Sequence, residues 1–203
     1  MLMAALHWRW EAAITVLAGD SGLKNLSEFL LNAVEANGDA PQKLRVTISE
    51  TGELGVTVTN APVVPLTNLF PSALPPPGLD ERGEHVEPES LVPLKKAGFD
   101  VVIDTGTTKR SEFTHFKTSR RDMYDRARER AGIQDRTQPK EVLLVNATNG
   151  VIMEASLTTP YFWRGGRWVT PPVSLIFNMR DGSGGNNGTS RRWALERLVV
   201  SNI

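Results

Sequence analysis

The segment from Glu141 to Arg192 constrains the fold more than any other part of this chain. Two short apolar strands flank the turn Asn146-Ala147-Thr148-Asn149-Gly150, and the second, Val151-Ile152-Met153, ends on a single carboxylate, Glu154. A hairpin follows, with Tyr161-Phe162-Trp163 and Trp168-Val169-Thr170 as strands and Arg164-Gly165-Gly166-Arg167 as the tight turn. A glycine-rich loop then runs into a helix. Free backbone N–H groups at such a helix start are a common means of holding a phosphate.

The chain before this segment reads as a smaller α+β unit. An apolar helix is expected over residues 2–18, ended by Gly19-Asp20-Ser21-Gly22. A second, from about Asn25 to Ala36, puts Leu26, Phe29, Leu30, Ala33 and Val34 on one face. Leu44, Val46 and Ile48 alternate with polar residues, and Leu54, Val56 and Val58 resume the alternation after Glu50-Thr51-Gly52-Glu53. That pattern predicts a β-hairpin with one buried face. Residues 61–97 hold eight of the 13 prolines and an acidic run around Asp80 to Glu84, the composition of a connecting loop with polyproline character. Phe99 to Asp104 is expected as a strand. Glu112 to Lys117 is expected to be extended, and Thr118 or Ser119 to cap a helix that turns Met123, Tyr124, Ala127 and Ala131 inward. The charges of that helix alternate in sign, as on a solvated, self-paired face.

Composition narrows the chemistry. With no cysteine there is no disulfide framework, thiolate metal site or cysteine nucleophile. The three histidines are not at ligand spacing, so no metal is expected. Net charge is zero, which gives no overall attraction to nucleic acid or to an anionic membrane. The charge is unevenly placed, however: residues 1–100 carry 7 Lys+Arg against 13 Asp+Glu, and residues 101–203 carry 16 against 10. The basic half either simply faces the acidic one or holds an anionic ligand. The apolar N-terminus is interrupted by His7, Arg9 and Glu11 and lacks a basic leader, so a cytoplasmic protein is expected.

Three features carry chemistry. Lys117 stands beside Phe116 at the approach to a helix; it is either a solvated lysine or an amine with a lowered pKa able to form an imine. Glu154 follows three apolar residues, so it either pairs with an arginine or faces a ligand with positive charge. The run Gly182 to Ser190 before Arg191 and Arg192 is either a surface loop with a hydroxyl cap or an anion cradle. It matches neither the P-loop nor the dinucleotide pattern. Together, an imine-forming lysine, a carboxylate for a pyridinium nitrogen and a phosphate cradle are the groups that pyridoxal phosphate requires.

In three stretches the chain resembles the fold-type-IV pyridoxal-phosphate enzymes, the class IV aminotransferases and aminodeoxychorismate lyases, and most closely their fungal lyase-like branch. The stretches are Phe113 to Arg121 with Tyr124, Glu141 to Pro172, and Gly188 to Glu196, within a similarity that covers about residues 98–197. The resemblance implies that Lys117 bears the cofactor, that Glu154 pairs with its ring nitrogen, and that Gly188, Thr189 and Ser190 bind its phosphate. It implies a two-domain α+β fold of the D-amino-acid aminotransferase type, incomplete here. Residues 1–60 would be a remnant of the small domain, 61–97 the connecting loop and 98–203 part of the large cofactor-binding domain.

Family members usually carry an earlier arginine that grips the phosphate and later strands that complete the large domain. The chain therefore looks trimmed at both ends, and Thr159 and Pro160 depart from the asparagine and apolar residue of many relatives. The implied activity is the lyase reaction that converts 4-amino-4-deoxychorismate to 4-aminobenzoate and pyruvate, a step toward folate. A branched-chain or D-amino-acid transaminase, or an inactive remnant, are the alternatives. A small amino substrate and a homodimer are the partners implied, with neither nucleic acid nor membrane.

Overall fold

A computed structural model describes residues 19–36, 40–49, 51–63, 70–79, 98–182 and 184–202. The chain divides into two compact units, Met1–Pro65 and Leu66–Ile203. The helix expected over residues 2–18 lies outside the described residues.

In the first unit, helix α1 (Gly19–Glu35) runs straight through the Gly19-Asp20-Ser21-Gly22 stretch that was expected to end a helix. A glycine inside a helix costs about 1 kcal/mol relative to alanine, a penalty rather than a stop. Of the expected apolar face, Leu26 is buried and Phe29 and Leu30 are half-buried, whereas Val34 is exposed. Strands β1 (Gln42–Ile48) and β2 (Leu54–Asn60) form the expected antiparallel hairpin. Its register sets Leu44 against Val58, Val46 against Val56 and Ile48 against Leu54, so apolar residues face one another across the strands. The turn closes through Ser49, whose Oγ accepts the Glu53 N–H at 2.9 Å, with Gly52 at φ 86°. The apolar face is only half covered, and Val46 stays exposed.

The second unit is built on a three-stranded sheet in the order β3-β4-β5. Strands β3 (Asp100–Ile103) and β4 (Lys140–Val145) are parallel; β5 (Ile152–Ala155) returns antiparallel through the turn at Asn146–Gly150. The apolar run of β4 is buried on both faces, as expected of a central strand. Two helices stand in the crossover from β3 to β4: α2 (Glu112–His115) and α3 (Asp122–Arg130). The core forms where Tyr124 and Ala127 of α3, with Ile133, meet Val142, Leu144 and Met153 of the sheet. Met123 and Ala131 pack at its margin, so the inward face read from the sequence is the one observed. Asp104, just after β3, is fully covered and takes a two-pronged bond from Arg130, with Nε to Oδ1 at 2.8 Å and Nη2 to Oδ2 at 2.6 Å.

Two local expectations are corrected. Glu112 to Lys117 is not extended: it makes the single turn α2, because Thr114 Oγ1 accepts the Ser111 N–H at 3.0 Å and donates back to the Ser111 carbonyl at 2.9 Å. Only from Phe116 is the backbone extended. Neither Thr118 nor Ser119 caps α3; Arg121 occupies that position without a side-chain cap. Asp122 and Asp125 in the first turn supply the negative charge that a helix start favours.

The rest of the unit is a second small sheet, β6-β7-β8. The hairpin β6 (Phe162–Arg164) and β7 (Arg167–Thr170) turns on Gly165 and Gly166, both at positive φ, as the tight two-residue hairpin turn demands. Strand β8 (Ser201–Asn202) lies parallel to β7, and helix α4 (Thr189–Glu196) precedes it. Of the Pro-rich stretch, residues 70–79 lie on this unit: the Trp168 Nε1–H donates to the Pro75 carbonyl at 2.9 Å, and Phe70 meets the Trp193 ring edge-on. The architecture is mixed α+β with several small sheets. Among the described residues no helix is long and apolar enough to cross a membrane.

Candidate active site

Lys117 and Glu154 line the same cavity, of about 100 Å3. Lys117 comes from the extended link between α2 and α3, and its side chain is exposed. Glu154 comes from β5, where alternation places Met153 and Ala155 in the interior and turns Glu154 to the other face. Phe113, Phe116 and Tyr124 supply aromatic wall, and Arg121 and Asn186 are among the polar residues of the lining.

Both carboxyl oxygens of Glu154 have donors. The Tyr124 hydroxyl donates to Oε1 at 2.5 Å, and the Asn186 backbone N–H donates to Oε2 at 3.2 Å. Burial is the dominant influence and pushes the Glu154 pKa up to about 7 from an ordinary 4.5. The two hydrogen bonds, and the charges of Arg121 and Lys117, pull the other way and limit the rise. The Tyr124 hydroxyl is itself held far above the ordinary tyrosine range, first by burial and then by the carboxylate beside it, so it acts as a donor and not as an acid.

One wall of the cavity, Ser156 to Thr158, hangs on a buried carboxylate. Glu141 Oε1 accepts from the Ser156 N–H at 3.1 Å and from Ser156 Oγ at 2.5 Å, and Oε2 accepts from the Leu157 N–H at 3.1 Å and Thr158 Oγ1 at 3.0 Å. Arg128, also buried, donates to the same Ser156 Oγ at 2.9 Å and to the Asp135 carbonyl at 2.9 Å. The charge of Glu141 is thus spread over several donors, which is what a buried carboxylate needs.

The glycine-rich loop reaches the cavity through its middle. A Cβ on Gly185 would lie 2.6 Å from the Met153 carbonyl, and one on Gly184, at φ 88°, would lie 2.7 Å from Arg110 Cβ. These glycines are required because the loop lies directly on β5. Arg110, buried, holds the loop's approach through the Asp181 and Gly182 carbonyls at 3.0 and 2.7 Å. Asn186 then points its N–H at Glu154 and its side-chain amide at the His115 carbonyl, 2.8 Å away.

Gly188, Thr189 and Ser190 form the start of α4, with Gly188 as its N-cap, but they are not part of the cavity lining. Thr189 and Ser190 are exposed. Arg192 folds back on the Asn187 carbonyl and contacts Thr189 Oγ1 at 3.3 Å. Arg191 is buried and tied to Asn187 Oδ1, the Pro171 carbonyl and Asn202 Oδ1. The structure therefore brings the lysine and the carboxylate together and leaves the helix start outside their cavity.

The sequence matches the family described as amino-transferase class IV over residues 9–201. The chain belongs to the class IV aminotransferase family. The match extends well beyond the 98–197 stretch in which the motifs lie and takes in the N-terminal unit. No curated protein matches the chain. The family typically uses pyridoxal phosphate, and an amine and a carboxyl facing one cavity, with the carboxyl's protonation balanced near neutrality, are groups that fit it.

Sequence reasoning missed several residues of this site. Tyr124 reads as core, yet it carries a polar tip on an apolar helix face, the usual sign of a buried donor seeking a partner. Asn186 was one polar residue in a glycine-rich run. Glu141 stands at the head of an apolar strand, where a carboxylate has to find donors. Arg121 was one of several arginines in a charged segment.

Proposed function

We propose that the chain is a pyridoxal-phosphate-dependent enzyme in which Lys117 holds the cofactor and Glu154 faces its ring nitrogen, acting as an aminodeoxychorismate-type lyase. The observation that carries this reading is the shared cavity of Lys117 and Glu154 within a class IV aminotransferase chain. Gly188, Thr189 and Ser190 are the residues proposed for the phosphate.

When bound, the cofactor supplies an electron sink for a carbanion on the substrate. The protein's part is positional and acid–base. Lys117 Nζ is the amine that would hold the cofactor through its aldehyde, and it is the group on this cavity that would move a proton at the substrate carbon. Glu154 Oε1 and Oε2 are fixed by Tyr124 and Asn186, so the carboxyl is oriented before any ligand arrives. A carboxyl poised near pH 7 would ionise readily if a cationic ring nitrogen were set beside it, because that charge would favour the carboxylate. Phe116, half-buried in the lining, offers aromatic surface to a flat ring.

Lyase and transaminase readings use the same residues. Release of pyruvate and 4-aminobenzoate from 4-amino-4-deoxychorismate, with no keto acid added, supports the lyase. Product formation that depends on a keto-acid co-substrate replaces it with the transaminase. A folded, cofactor-loaded chain that does neither overturns both.

A further inference from the structure

The arginines around the cavity are not equivalent. Arg120 and Arg126 both bond Asp122, at 3.2 and 2.8 Å, and Arg130 is locked onto Asp104. Arg128 spends Nη1 on Ser156 Oγ and Nη2 on the Asp135 carbonyl. Arg121 differs. It gives only Nη2, to the Ser156 carbonyl, while its guanidinium stacks over the Tyr124 ring with Cζ 4.5 Å from the centroid. Its Nε is buried without a hydrogen-bond partner, a feature shared with Arg110, Arg191 and Arg192, but among the described residues it forms no ion pair and it alone of the four lines the cavity. Lys117, on the same cavity, also forms none among the described residues.

Among the described residues Glu154 is the one carboxylate in the lining, and each of its two oxygens already accepts a hydrogen bond, from Tyr124 and from Asn186. The cavity therefore presents two cations against at most one negative charge. A guanidinium held by a carbonyl on one side and a ring face on another keeps its fork in a fixed plane, the arrangement suited to a planar or tetrahedral oxyanion.

We propose that Arg121 is an oxyanion-binding residue of the Lys117–Glu154 cavity, receiving the carboxylate or phosphate group of the small molecule that enters it. The proposal rests on that cavity being the binding site named above, but not on the identity of the cofactor. A carboxylate would come from an amino-acid-like substrate; a phosphate would come from the cofactor, and Arg121 would then take the place of Gly188, Thr189 and Ser190 as its holder.

The test uses the full chain without added cofactor. Acylation of Lys117 by acetic anhydride is followed by peptide mass spectrometry, with exposed Lys43 as internal reference. Malonate and inorganic phosphate are titrated separately, against chloride at equal ionic strength to remove simple screening. Selective slowing of Lys117 acylation is expected from at least one anion. Arg121→Gln is expected to raise the concentration needed by about 10-fold or more, the loss of one charged hydrogen-bonded contact. Arg121→Lys keeps a cation beside the Ser156 carbonyl but lacks the fork; a measurable rise in that variant decides the matter if the glutamine variant does not fold. Protection by malonate alone assigns Arg121 to a substrate carboxylate, and protection by phosphate alone to the cofactor. Equal protection of wild type and both variants, or no protection of wild type by either anion, overturns the proposal. Loading of Lys117 by pyridoxal phosphate is scored in parallel. A chain that loads without Arg121-dependent protection defeats this proposal alone, and a chain that is protected but does not load defeats the function reading alone.

Discussion

Replacing Glu154 by glutamine should change how the stability of this chain depends on pH. In the folded state burial raises the Glu154 pKa to about 7, against 4.5 in an unfolded chain. Between those values the folded chain holds a proton that the unfolded chain releases, so stability falls as pH rises through the window. A gap of this width corresponds to about 3 kcal/mol lost by the wild type once the pH exceeds the folded value. Glutamine is the same size and still accepts the Tyr124 hydroxyl, but it cannot ionise. Its amide meets the Asn186 N–H less well, a cost that does not vary with pH. Asp104, whose carboxyl Arg130 holds below the usual range, loses its stabilising bond only in stronger acid, and does so in both chains. The difference between the two chains therefore isolates Glu154. Urea unfolding followed by tryptophan fluorescence, from about pH 4 to about pH 8, should show the difference moving in favour of Glu154→Gln by about 3 kcal/mol. A difference that stays constant across that range refutes the reasoning, because Glu154 would then ionise as an ordinary exposed carboxylate.

Two further substitutions probe the same network. Tyr124→Phe removes the hydroxyl that favours the ionised carboxyl, so the pH window in which stability is lost should move above its wild-type position; an unmoved window in the same unfolding series would show that the 2.5 Å contact does not bear on Glu154. Gly185→Ala would place a Cβ 2.6 Å from the Met153 carbonyl, and the forced shift of the loop should cost about 1–3 kcal/mol by urea unfolding. Gly188→Ala, where the nearest atom would be 3.7 Å away, should cost less, and equal losses would contradict the account of why the loop is glycine-rich.

Regular elements with a strong period were legible in the sequence, and those set by local hydrogen bonds were not. The alternation of Leu44, Val46 and Ile48, and the tight Gly165-Gly166 turn, pointed to hairpins that the backbone adopts. The inward face of α3 followed from the spacing of Tyr124 and Ala127. The turn of helix at Glu112–His115 did not, because it depends on a reciprocal bond between Ser111 and Thr114 in a stretch too short to show a period. At the site, Lys117 and Glu154 stood out as isolated polar groups beside apolar ones. Their partners were hidden, because Tyr124, Glu141 and Asn186 acquire their roles only through contacts between segments far apart in the chain. The glycine-rich loop was legible as a loop, but the close approach of Gly184 to Arg110 and of Gly185 to β5 was not, because it depends on contacts between segments far apart in the chain.

The central claim is that Lys117 is the lysine that holds pyridoxal phosphate. The direct measurement is to mix the purified chain with the cofactor, reduce with borohydride and map the modified lysine by mass spectrometry, beside Lys117→Ala. The account predicts a visible absorption band in the wild type and a single stable modification at Lys117, both absent in the variant. No band in a soluble, folded sample, or modification spread over exposed lysines and unchanged in Lys117→Ala, would contradict it.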